Sequence, residues 1–271
     1  MYCSHFDLDR RPFDETLETE AYVPLPGREA VLRRLRYGVD QGSGVVVLHG
    51  PPGAGKTILA RRLSAVLEGP TAHLPYPALR PESLLAVIAD EFGIAPIAAQ
   101  PPDLASSLKT LRGFLATARA QGQRPLLLVD DAHVIDDPAT FECLRLLLNF
   151  SSAGPPDLCL LLVGATDLLL RLSPALADRL SACGLVGPLE LPETEAYLMG
   201  RMRIAGGNRP LFTPDAVAQL QQASEGLPRR LNRLADLALL VAFASGAELA
   251  DGESVSLAVQ ESGIYPHALT I

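Results

Sequence analysis

Val45-Val46-Val47-Leu48-His49-Gly50-Pro51-Pro52-Gly53-Ala54-Gly55-Lys56-Thr57 is the stretch on which the reading of this chain turns. Four aliphatic residues run without a break, the pattern of a strand buried on both faces of a parallel sheet. The run leads into two glycines with four residues between them, followed by Lys-Thr, where a helix is expected to begin near Thr57. Glycines let the backbone curl so that successive N–H groups point inward, and the first helical turn adds the positive end of its dipole. Together they form a cradle for a phosphate chain. Gly50, Pro51, Pro52, Gly53, Ala54, Gly55, Lys56, Thr57 and Ile58 are therefore the expected nucleotide-binding residues. Lys56 is placed to reach the β- and γ-phosphates, and Thr57 to ligate magnesium. Lysine occurs only at 56 and 109 in the whole chain. A plain Gly-Pro turn between strand and helix gives no reason for one of the two to fall here.

Working outward, Leu126-Leu127-Leu128-Val129 is a second buried run, and it ends in Asp130-Asp131. Burying a strand that terminates in two carboxylates is costly unless they have work to do. Asp130 stands where a carboxylate would hold magnesium, and Asp131 is the group expected to polarise the attacking water. A solvated turn beginning at Asp130 is the plainer alternative. A third run, Leu158–Val163, ends at Gly164, and Thr71–Leu74 and Gly187–Leu191 are weaker strand candidates. Between the runs the spacing turns helical, as in Leu84, Ile88, Phe92 and in Leu104, Leu108, Leu111, Leu115. Alternating strands and helices through residue 191 predict an α/β doubly wound parallel sheet. After Pro192 the pattern is helical only: Thr213-Pro214 is a capped start, and Leu227, Leu231, Leu234, Ala238 mark a helix face. The expected division is an α/β domain over 1–191 that includes an N-terminal segment 1–40, a small all-helical lid over 192–263, and a tail over 264–271.

Composition narrows the function classes. Hydrophobic residues make up 48% and charged residues 20%, so the chain is globular and aliphatic. No apolar run approaches the roughly 20 residues of a membrane span and no export signal is visible, which places the expectation in the cytoplasm. Cysteines 3, 143, 159 and 183 lack the short paired spacing of zinc or redox sites and read as buried free thiols. The five histidines share no metal-ligand spacing, and no Gly-x-Ser-x-Gly elbow is present. A net charge of −8 weighs against nucleic acid held by bulk electrostatics, although a local basic patch can survive within it.

The run Leu127-Leu128-Val129-Asp130-Asp131-Ala132-His133 resembles the Asp-Glu-Ala-Gln or Asp-Glu-Ala-His segment of AAA+ ATPases related to the general secretion pathway A (ExeA-type) proteins. Tyr2, Phe6, Leu8, Pro12, Phe13 and Tyr37-Gly38-Val39 are similar to that family's opening. Arg203-Ile204-Ala205-Gly206-Gly207 and Pro210-Leu211-Phe212-Thr213-Pro214 are similar to its lid entry. The resemblance spans about residues 1–263. It implies a P-loop NTPase fold of the AAA+ type with a helical lid, ATP and Mg2+ as ligands, and ATP hydrolysis coupled to an oligomeric motor or switch. It further implies Arg179 as an arginine finger acting in trans on the adjacent subunit, and Arg229, with Arg230 as the neighbouring alternative, as the lid sensor. The family's polar residue at the end of the fourth strand aligns with Ala165, which leaves Thr166 as the sensor candidate. Adenine is expected between the Tyr37-Gly38-Val39 region and the lid.

Asp131 stands where the family has glutamate. One methylene less holds the water about an ångström or more from the productive position, which implies slow hydrolysis. The alternatives are an ATP-dependent assembly module with little hydrolysis, and an AAA+ regulator of DNA transposition, the latter disfavoured by the acidic balance. The client, a protein or another component, is not written in the sequence.

Overall fold

The computed structural model describes residues 2–14, 19–42, 44–94, 103–150 and 154–263. Along the chain run α1 (Pro26–Gln41), β1 (Val45–His49), α2 (Lys56–Ala65), β2 (Thr71–Leu74), α3 (Pro81–Glu91), α4 (Leu104–Ala120), β3 (Leu126–Val129) and α5 (Pro138–Leu147). They are followed by β4 (Cys159–Gly164), the short α6 (Leu168–Arg171) and α7 (Pro174–Ala177), β5 (Leu180–Leu185), α8 (Leu191–Ile204), α9 (Pro214–Ser224), α10 (Pro228–Ala244) and α11 (Gly252–Ser262). The tail expected over 264–271 lies outside the described residues.

The chain divides into two compact units: Arg28–Gly50 with Leu59–Val186, and Met1–Gly27 with Pro51–Ile58 and Gly187–Ile271. In the first unit, five strands form one sheet in the order β2-β3-β4-β1-β5, every pair parallel. Leu126–Val129 and Cys159–Gly164 are buried along their whole length, as are the first four residues of β1. Unbroken aliphatic runs are what such central strands require. The register sets His49 opposite Gly164 and Val129 opposite Leu162. Thus β1 and β3, each beside β4, deliver Gly50 and Asp130 to the same edge of the sheet.

The fifth strand is Leu180–Leu185, not the expected Gly187–Leu191. Its middle, Ser181-Ala182-Cys183-Gly184, is small because α1 lies close over it: a Cβ on Gly38 would stand 2.3 Å from the Ala182 Cβ, and one on Gly184 would stand 2.7 Å from Val31. Small residues at a close helix approach erase the aliphatic signal of a strand. Leu189, which gave 187–191 its strand-like look, is buried in the helical unit, its N–H bonded to the Gly226 carbonyl at 2.8 Å.

The helical unit has its own core of α8, α9, α10 and α11. Thr213 caps α9 through Ala216 N–H, and Asp251 caps α11 through Ser254 N–H. Tyr2, Phe6, Leu8 and Phe13, which the sequence grouping puts with the α/β part, pack into this helical core. Polar bonds hold the same segment down. Tyr2 and Arg11 both donate to the Asp236 carboxylate on α10, and Arg201 of α8 donates to the carbonyls of Pro12 and Asp14.

All four cysteines are free; Cys159 is fully buried and the other three partly so. Burial pushes the Cys143 and Cys159 thiols up to about 11.

Candidate nucleotide site

The loop leaves β1 at Gly50, and no other residue type fits there. Its φ is +154°, and a Cβ would lie 2.1 Å from the Val186 carbonyl oxygen, while Val186 N–H donates to the His49 carbonyl at 2.8 Å. Gly53 and Gly55 follow in the left-handed region, at φ +78° and +91°. Ala54 between them is buried, and its N–H bonds the Pro51 carbonyl at 3.3 Å. Lys56 and Thr57 begin α2, so the curl ends on a helix N-terminus as the sequence spacing anticipates. The Lys56 ammonium donates to the Pro51 carbonyl at 3.0 Å, across the loop.

The expected lid sensor Arg229 and its alternative Arg230 occupy different surroundings. Arg229, in the first turn of α10, donates its backbone N–H to the Gly53 carbonyl at 3.2 Å, and its Cβ would meet a Cβ on Gly53 at 3.1 Å. Its side chain is exposed beside the loop. Arg230 turns back to Glu225 in a 2.8 Å ion pair.

At the carboxyl edge of the sheet, Asp130 is buried and its carboxylate accepts from Asp131 N–H at 3.0 Å. Asp131 is left-handed, at φ +47°, and its side chain is 62% exposed. The backbone reversal separates the two neighbouring carboxylates, one held inward and one thrown out. His49 and His73, which the sequence gave no reason to connect with Asp130 and Asp131, lie at this edge together with His133 of the same segment. His73 of β2 sets Nε2 3.8 Å from Asp130, His133 sets Nδ1 3.9 Å from Asp131, and His49 Nδ1 lies 3.3 Å from the Thr166 carbonyl. Parallel register places His73 and His49 there, while His133 sits in the short turn that follows Asp131. Thr166 follows β4 at this edge, exposed, and next to it the Arg171 guanidinium holds the Asp167 carboxyl below the usual carboxylate range.

Arg179 sits at the other end. Its carbonyl accepts from Val45 N–H at 3.2 Å, at the start of β1, so it occupies the amino edge of the sheet. In the Tyr37-Gly38-Val39 region Gly38 is packed against Ala182, Val39 is buried and Tyr37 is 63% exposed.

Residues 39–172 match the AAA domain family. The chain is 36% identical over 276 residues to general secretion pathway protein A of Aeromonas hydrophila, a match that covers 97% of this chain. The chain belongs to the AAA+ family. This AAA+ chain spans about half of that relative, 49% of its length. In three dimensions it is similar to Cdc6p of Pyrobaculum aerophilum (TM-score 0.71, 19% identity, 92% of this chain and 70% of that one). It is also similar to the RuvB Holliday junction branch migration motor of Thermotoga maritima (TM-score 0.60, 19% identity, 90% of this chain and 73% of that one). At those identities the likeness concerns the fold: a five-stranded parallel sheet with a helical C-terminal region. No described helix is long and apolar enough to cross a membrane.

Proposed function

We propose that this AAA+ chain binds ATP with Mg2+ and hydrolyses it, acting in the cytoplasm as an oligomeric motor or switch on a protein client. The observation that carries the reading is the curled loop whose Gly53 carbonyl is tied to the first turn of α10, so that the anion cradle and Arg229 belong to one packed unit. Loop N–H groups would hold the β- and γ-phosphates, and Lys56 would exchange the Pro51 carbonyl for phosphate oxygens. Arg229, exposed beside Gly53, would report the γ-phosphate to the lid helices. The donors assigned to the metal, the Thr57 hydroxyl and the Asp130 carboxylate, are hard oxygens that leave positions for water and phosphate, which suits magnesium. Bound magnesium supplies neutralisation of phosphate charge. Asp131 would orient water and accept its proton, and Thr166 would contact the γ-phosphate or that water. Arg179, on the far edge from Gly50, is suited to a neighbouring subunit's site.

A second reading has support of its own. Asp131 is short and largely exposed, which favours a module that assembles on ATP and rarely hydrolyses it. Steady-state turnover separates the two: brisk wild-type hydrolysis supports the motor, whereas residual turnover that rises in Asp131→Glu supports the assembly module. Lys56→Ala should cut affinity for a fluorescent ATP analogue at least roughly a hundredfold, because a charge facing two phosphates is removed. Unchanged affinity would end both readings.

A further inference from the structure

We infer that Asn149 is a positioning residue for Arg179, presetting the guanidinium for the site it would enter on an adjacent subunit. The inference rests on the reading of Arg179 as a finger acting in trans.

Both backbones are firmly seated. Asn149 follows Leu147 and Leu148, each buried in the sheet core, and its N–H bonds the Leu146 carbonyl at 3.0 Å at the end of α5. Arg179 lies just beyond α7, whose Leu176 is fully buried. Its N–H donates to the Leu176 carbonyl at 3.1 Å, and its carbonyl takes the Val45 N–H. Between these anchors the Arg179 Nη2 donates to Asn149 Oδ1 at 2.6 Å. The side chain is thereby fixed at one nitrogen while the remaining donors of the fork stay directed elsewhere.

The type of partner is what points to function. Arg11, Arg119, Arg145, Arg171 and Arg230 each pair with a carboxylate, and Arg10, Arg124, Arg201, Arg209 and Arg233 donate to backbone carbonyls, whereas the Arg179 contact here is to a movable side-chain amide. Arg179 is held by a neutral amide. A carboxylate would satisfy the guanidinium and cancel much of its charge, leaving little for a phosphoryl group in the transition state. An amide restrains the rotamer without neutralising it, which lowers the ordering cost when a phosphate arrives. Two loops on different elements converge on the one arginine whose chain position suits a neighbour's site.

The test is ATP turnover and nucleotide affinity of the full chain carrying Asn149→Ala, Asn149→Asp, Arg179→Ala or Asn149→Ala with Arg179→Ala. Asn149→Ala should slow turnover roughly threefold to tenfold, the range expected for losing one orienting hydrogen bond. Affinity should stay unchanged, and the double variant should be no slower than Arg179→Ala alone. Asn149→Asp preserves the contact but neutralises the charge, and should be at least as slow as Asn149→Ala. Mixing Asn149→Ala subunits with Lys56→Ala subunits, which carry an intact Asn149–Arg179 pair, should restore turnover per competent site. Wild-type turnover in Asn149→Ala or in Asn149→Asp, or additive losses in the double variant, would overturn the inference while leaving the finger intact. No loss in Arg179→Ala would instead remove the reading on which it rests.

Discussion

The two edges of the sheet are chemically opposite. At the carboxyl edge stand Asp130, Asp131, Thr166 and the three histidines, with backbone in left-handed conformations at Asp131 and a glycine-only passage at Gly50. At the amino edge stand Arg179 and its amide partner, on backbone fixed by ordinary hydrogen bonds. The five residues of β1 separate the edges by roughly 16 Å at about 3.3 Å per residue. That exceeds the reach of an arginine side chain, so in one subunit Arg179 does not serve the edge where Asp131 lies. If Arg179 acts as the proposed finger, strand length assigns it to a neighbouring chain's site rather than its own.

The sharpest attack on this comparison is Arg179→Ala. It should lower turnover by about a thousandfold, in the range measured for arginine fingers, with nucleotide affinity nearly unchanged. Turnover that responds instead to dilution of a monomeric sample in the same way for variant and wild type would break the division of labour between the edges. Next in size, Gly50→Ala should destabilise the fold by about 3 kcal/mol or more, since a methyl at 2.1 Å from the Val186 oxygen must move backbone. Chemical denaturation measures this, and an unshifted midpoint would show that the carboxyl edge is not held by that approach. A smaller change is expected from Asp131→Glu, which extends the exposed carboxylate by one methylene and should raise turnover about tenfold. The smallest is chemical: at pH 8 the Cys159 thiol, raised by burial to about 11, is almost wholly protonated, so it should stay unmodified by iodoacetamide in the native protein. Labelling of Cys159 by peptide mass analysis before global unfolding would show that β4 opens locally.

Much of the fold was legible because central parallel strands must be aliphatic throughout. Val45–Leu48, Leu126–Val129 and the run ending at Gly164 announce themselves by composition alone. The edge strand Leu180–Leu185 did not, because its residues answer to the helix lying over it rather than to hydrophobicity. The loop from Gly50 to Thr57 was legible residue by residue, since its glycine positions follow from backbone conformation. The sequence resemblance favours Arg229 with Arg230 as its neighbouring alternative, and says nothing of what each side chain touches. The packing of α10 gives them different surroundings, Arg229 N–H on the Gly53 carbonyl and Arg230 drawn to Glu225.

What the sequence determined by itself was local: which runs are buried strands, where the chain curls to accept an anion, and where a strand ends in carboxylates. These follow from covalent geometry and from the cost of burying polar groups, both properties of short segments. What only the tertiary structure decided was juxtaposition across the chain. His73 beside Asp130 arises from strand order and register, Asn149 beside Arg179 from the packing of the segments after α5 and α7, and the N-terminal aromatics within the helical core from helix packing. Those are set by packing of the whole rather than by any neighbour in sequence.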